Sequence, residues 1–200
     1  MSYRDFTITD VGQRLGLTLT SDQRLFADIP AVVPRREFLD TLAEGALLAQ
    51  GTDSEKAKSE FLIAPILLEF RRLSERKSAV FSGVEFNVDA ASGLNGYCDF
   101  LITRGPMMYV VTAPVIAVAE GKNDNVNNGL GQCIAEMRAA WLFNVKRGEP
   151  VEQVFGAATT GTHWKFLRLC DTQVTLDADN YFITDIGKIL AILLHMAATA

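Results

Sequence analysis

The chain has 200 residues, 48% of them hydrophobic and 22% charged, which suits one globular domain with a real core and excludes extensive disorder. A net charge of −5 excludes a protein that coats nucleic acid through phosphate contacts alone. It leaves open an enzyme whose carboxylates hold a cation against a phosphate.

Three scattered cysteines, Cys98, Cys133 and Cys170, lack the spacing of a zinc ribbon or a disulfide framework. They read as buried free thiols of a reducing compartment. The opening residues hold no apolar signal segment. The longest apolar run, residues 189–196, is far shorter than the roughly 20 residues that span a bilayer. The expectation is a cytoplasmic protein with no membrane partner.

Along the chain, a short helix is expected after Asp10, read as its N-cap, and Pro30 and Pro34 bracket an extended segment or turn. Phe38, Leu42, Ala46 and Leu47 recur at helical spacing and predict a helix over 35–50. A longer helix over 54–77 carries Ile63, Ile66, Leu67 and Phe70 as its apolar stripe, with a kink or late start at Pro65. Strands are expected at 80–88, 97–103, 108–112 and 115–120, then a helix over 130–146. A hairpin over 151–159 and 164–170 turns at Thr160-Gly161-Thr162. A short strand within 173–183 and a helix over 185–198 close the chain. This order reads as a single mixed α/β domain over 1–200, a central sheet flanked by helices.

The chemistry concentrates at Glu120-Gly121-Lys122. The run VIAVAEGK is apolar to its end and then abruptly charged. Residues two apart on a strand face the same side, so Glu120 and Lys122 point together at the end of a buried strand. A carboxylate there can bind a hard cation, and a lysine can orient water or stabilise phosphate charge. Glu75-Arg76-Lys77 repeats the pattern in a charged helix end, where solvated surface is the simpler reading.

Asp99 sits in GYCDFLI between apolar neighbours, unusual for a residue disfavoured in strands. It precedes Glu120 by a hairpin-sized segment, so adjacent antiparallel strands bring the two carboxylates together. Gln132 opens the following helix on a small, polar face with Ala135, Glu136 and Ala139. It can reach back toward the strand end or lie in solvent, while Glu136 reads as a surface or supporting residue. Glu60 shares the stripe of Ile63 and Leu67, and Glu55 and Glu69 compete with it.

His163 and His195 have no partner at metal-ligand spacing, and His163 falls in a turn. Trp164 reads as a core residue, and Lys165 and Arg168 as solvated surface. There is no phosphate-loop, dinucleotide-binding or nucleophile-elbow motif.

Taken in order, Ser54-Glu55 through Pro65, Gly96-x-x-Asp99, Glu120-x-Lys122 and Gly131-Gln132 resemble the PD-(D/E)XK nuclease superfamily. The resemblance covers about 54–170 and lies nearest the branch that includes the nuclease domains of type I restriction subunits. The run FGAATTGTHWKFLRL is similar to a strand pair of that branch. Cys98 stands where the proline that names the motif is expected.

The resemblance implies a restriction-endonuclease-like sheet and Mg²⁺-dependent hydrolysis of phosphodiester bonds, with Mn²⁺ as a substitute. It implies Asp99 and Glu120 as metal ligands, Lys122 as the catalytic lysine, and Gln132 and Glu60 (or Glu55) as accessory residues. The expected partner is nucleic acid, DNA first, cut as an endonuclease or exonuclease. The alternative is a catalytically silent module of the same fold that binds nucleic acid or protein. The apolar residues Ile186, Ile189, Leu190, Leu193 and Leu194 of the last helix pack either inward or across a homodimer interface.

Overall fold

The computed structural model describes residues 1–200. Its strands are β1 (Thr18–Thr20), β2 (Ser78–Glu85), β3 (Tyr97–Arg104), β4 (Val115–Gly121), β5 (Val154–Thr159), β6 (His163–Cys170), β7 (Gln173–Leu176) and β8 (Tyr181–Phe182). Its helices are α1 (Ile8–Leu15), α2 (Arg36–Thr52), α3 (Glu55–Lys58), α4 (Ala64–Leu73), α5 (Leu130–Lys146) and α6 (Ile186–Thr199). The eight strands form one mixed sheet in the order β1-β7-β6-β5-β4-β3-β2, with β8 also pairing β6. Helices cover both faces, so the expected mixed α/β architecture is observed.

β4 lies inside the sheet because every residue of Val115–Gly121 can be buried there. It runs antiparallel to β3 and parallel to β5, with α5 as the crossover between β4 and β5. Asn144 of α5 clamps the start of β4. Its amide donates to the Val115 carbonyl and accepts from the Val115 N–H, both at 2.8 Å. On this face Leu101, Val118, Ala158 and Leu167 pack against Ile134 and Met137 of α5 and Val11 of α1. On the other face Phe100, Ile116, Phe155 and Phe166 pack against α2, α4 and α6.

Close helix–sheet approach depends on Gly156 in β5. A Cβ there would stand 2.8 Å from the Cys133 sulfur, a distance that real Cβ atoms do not adopt.

Several expectations are corrected. Thr7, not Asp10, is the N-cap of α1. Asp10 sits three residues on and accepts from the Thr7 N–H at 3.0 Å, completing a capping box. Residues 108–112 form no strand; they lie in the loop from β3 to β4, where Met108 is about half exposed and Tyr109 fully exposed. Their β-prone side chains find no neighbouring strand to pair with. The helix over 54–77 ends at Leu73, and Glu75 and Arg76 turn with positive φ. Between α3 and α4, Ser59–Ile63 forms a π-helical turn, wider than the α-helix the spacing assumes.

β1, a three-residue strand, pairs in parallel with β7 and was not foreseen. Cys98 and Cys133 are buried as expected, but Cys170 is exposed at the end of β6. Within the chain α6 packs inward: Ile186, Ile189, Leu190 and Leu193 are buried and Leu194 is half-buried. No helix is long and apolar enough to cross a membrane.

Candidate active site

β3 and β4 place the two acids. Their register pairs Phe100 with Ala119, and one residue further along each strand come Asp99 and Glu120. Asp99 Oδ2 accepts from the Gly121 N–H at 2.8 Å, which fixes that carboxylate at the end of β4. Glu120 is 2% exposed, held between the sheet and α5.

Beyond Gly121 the Lys122 N–H still donates to the Thr159 carbonyl at 2.8 Å, so the backbone keeps its strand path. The Lys122 side chain therefore returns to the face of Glu120. Its ammonium donates to Glu120 Oε1 at 2.6 Å and to Gln132 Oε1 at 3.3 Å.

The start of α5 closes the arrangement. Gly129, just before the helix, lies against both side chains; a Cβ there would stand 3.0 Å from Lys122 Cγ and 3.4 Å from Glu120 Cγ. Gln132 is 5% exposed and its amide donates to Glu136 Oε1 at 3.1 Å. An ammonium can only donate, so the amide must turn its oxygen to Lys122 and its nitrogen to Glu136. Lys58 ties the loop after Lys122 to the helical run at 55–73, donating to the carbonyl and side-chain oxygens of Asn123 at 2.9 Å each.

The electrostatics follow from burial. Loss of water pushes the Glu120 carboxyl up to about 7; the charge of Asp99 adds to this and Lys122 opposes it. Burial holds Glu136 well above the usual carboxylate range, with Glu120 adding to the effect. For Lys122, burial disfavours the charged form, but the nearby Glu120, Glu55 and Asp99 outweigh it and the ammonium is held.

Two carboxylate oxygens inside the site, Glu120 Oε2 and Glu136 Oε2, are buried and meet no amide or basic donor. As the side chains stand, no three acidic, cysteine or histidine groups converge on one point. Asp99 and Glu120 supply two carboxylates. That number suits Mg²⁺, which keeps several waters and takes substrate phosphate oxygens to complete its octahedron. The second oxygen of Glu120, which meets only the Glu136 carboxyl, and the all-oxygen donor set fit such an ion.

Of the expected residues, the structure gathers Asp99, Glu120, Lys122 and Gln132. Glu60 does not join them. It is exposed and ion-paired with Lys56 at 2.7 Å. The π-helical turn adds a residue to its turn, so counting back from Ile63 and Leu67 by α-helical spacing lands on the wrong face. Glu55, the alternative to Glu60, helps hold the charge of Lys122. Glu69 is buried away from it, paired with Arg35 and Arg72.

Glu136 is fully buried and supports Gln132, so of its two readings, surface or supporting residue, the structure has the second. The signal that could have found it was its position four residues after Gln132, between Ala135 and Ala139 on one face. His163 is half-buried, stacked on Phe182 at 4.9 Å, and Trp164 is wholly core. No protein-family model matches the chain, and no curated protein matches it either.

Proposed function

We propose that the chain is a metal-dependent nuclease of the PD-(D/E)XK type that hydrolyses phosphodiester bonds in DNA, working in the cytoplasm. One observation carries the reading. The charged end of the buried strand β4 sets Glu120 and Lys122 on one face beside Asp99, and the second oxygen of Glu120 meets no amide or basic donor, only the Glu136 carboxyl. Several acids gathered around one lysine in so dry a setting are costly to keep for structure alone.

Asp99 and Glu120 would hold Mg²⁺ or Mn²⁺, which when bound supplies a Lewis acid for phosphate oxygens and a more acidic water. The protein's own groups do the rest. Lys122 presents a fixed positive charge to the phosphate oxygens and to the attacking water. Glu120 Oε1 and Gln132 Oε1 hold that ammonium in place, so it does not have to be ordered during the reaction. Gly129 allows the backbone at the start of α5 to lie against the pair.

The test is cleavage of circular duplex DNA, single-stranded DNA and RNA by purified wild type and by Lys122→Ala, with Mg²⁺, Mn²⁺ or EDTA. Wild type is expected to cut with metal only. Lys122→Ala is expected to lose at least about a hundredfold, in line with the loss of one preorganised charge-stabilising group. Folded wild type that cuts nothing with either metal would overturn the nuclease reading. It would favour a non-cleaving module, in which the 2.6 Å pair of Lys122 and Glu120 is simply a buried ion pair.

A further inference from the structure

We infer that Glu136 is a positioning residue for the site: it fixes the amide of Gln132 so that the amide oxygen, and not its nitrogen, faces the ammonium of Lys122. The inference rests on the nuclease reading only for its effect on cleavage. The geometry is a chain of three contacts. Glu136 Oε1 accepts from Gln132 Nε2 at 3.1 Å, Gln132 Oε1 accepts from Lys122 at 3.3 Å, and Lys122 donates to Glu120 at 2.6 Å.

A glutamine amide has two ends of similar shape and opposite polarity. With its nitrogen unpaired it could rotate and point a donor at the ammonium, repelling it. Glu136 opposes that rotation, because its Oε1 accepts from the amide nitrogen: a charged carboxylate can only accept, and a neutral carboxyl accepts there when its proton sits on Oε2. Its position supports the role. Glu136 lies one turn after Gln132 on α5 and is 0% exposed, so it has no solvent function and no cationic partner. A buried acid without an ion pair is costly to keep; the Glu136 carboxyl meets Gln132 through Oε1 and also lies within hydrogen-bond reach of Glu120.

The experiment compares Glu136→Gln, Glu136→Met, Gln132→Ala and the double variant Glu136→Met with Gln132→Ala. Glu136→Gln keeps an oxygen able to accept from Gln132 and should cut within a few-fold of wild type. Glu136→Met should lose about 10- to 100-fold, the usual cost of removing a group that orients a reacting residue. The double variant should be no worse than Gln132→Ala, since Glu136 acts through Gln132.

Losses that multiply, or a Glu136→Gln variant as weak as Glu136→Met, would overturn the inference. A second readout needs no activity. The side-chain amide resonance of Gln132, identified by its loss in Gln132→Ala, should stay in place in metal-free Glu136→Gln. In Glu136→Met it should move toward the position of free amides. If wild type does not cut DNA, this readout still decides: an unmoved resonance in Glu136→Met sinks the inference, and a shifted one sustains it without the nuclease reading.

Discussion

Single residues at the end of β4 trade stability for a charged site. The Glu120 carboxyl is pushed up to about 7, and Glu136 is held well above the usual carboxylate range, both chiefly by burial. A carboxyl whose folded pKa lies above its unfolded value, roughly 4.3, stabilises the fold fully below that value. This contribution is lost as pH rises through the folded pKa. The metal-free protein should therefore lose Tm between about pH 4 and 7 on account of Glu120. Glu120→Gln should flatten that loss in the EDTA-treated protein. Thermal melts across pH check it, and a wild-type Tm that does not depend on pH in this window would contradict it. Gly129 makes a second case. Its backbone is ordinary helical, φ −93° and ψ −12°, so Gly129→Ala strains no dihedral. The added methyl must displace Lys122 instead, and cleavage should fall about tenfold or more with little change in Tm, because small misplacements are expensive in a preorganised site.

At the scale of elements, the site depends on how α5 is fastened to β4. Asn144 makes both available hydrogen bonds to the Val115 backbone and is fully buried, so it sets where the strand begins relative to the helix that carries Gln132. Asn144→Leu would leave a buried N–H and a buried carbonyl unpaired, at a cost of about 2–4 kcal/mol, measurable by urea denaturation. A loss below about 1 kcal/mol would show that the clamp is dispensable. Elements were legible to different degrees. α2, α5 and α6 declared themselves by apolar spacing and length, and β4 by an unbroken apolar run. The 55–73 helical run was legible in its start but not in its end or its register, because a π-helical turn leaves no mark in composition. That one added residue is why Glu60 was placed on the wrong face. Met108–Thr112 was the opposite error: strand-forming side chains without a strand beside them.

At the scale of the whole molecule, the net charge of −5 shapes how a polyanion can be approached. The proposed site adds two carboxylates and only one lysine at the strand end, so DNA should meet repulsion unless a cation is present. Lys122→Ala, which should not cut, is the suitable probe. Its DNA affinity by fluorescence anisotropy should be at least about tenfold tighter with Mg²⁺ than with EDTA, and should weaken steeply with added salt. Equal binding with and without metal would place the DNA-contacting surface elsewhere. The sheet accounts for how four distant residues come together. Asp99 arrives on one strand, Glu120 and Lys122 on its antiparallel neighbour, and Gln132 on the crossover helix that must start where β4 ends.

The sequence by itself determined the mixed α/β order of elements, the buried run of β4 with its charged end, and the pairing of Glu120 with Lys122. These follow from local periodicity, which depends only on neighbours along the chain. The tertiary structure decided which helix acid stands near Lys122, that Glu136 is buried behind Gln132, and that Asp10 is not a cap. It also decided the parallel pairing of β1 with β7, between residues about 155 apart in sequence. α5 explains the difference most plainly. It is buried around most of its circumference, so no one-sided pattern distinguishes a glutamate facing solvent from one facing the site. Which way such a residue points depends on the strands laid against it, and only the assembled sheet supplies them.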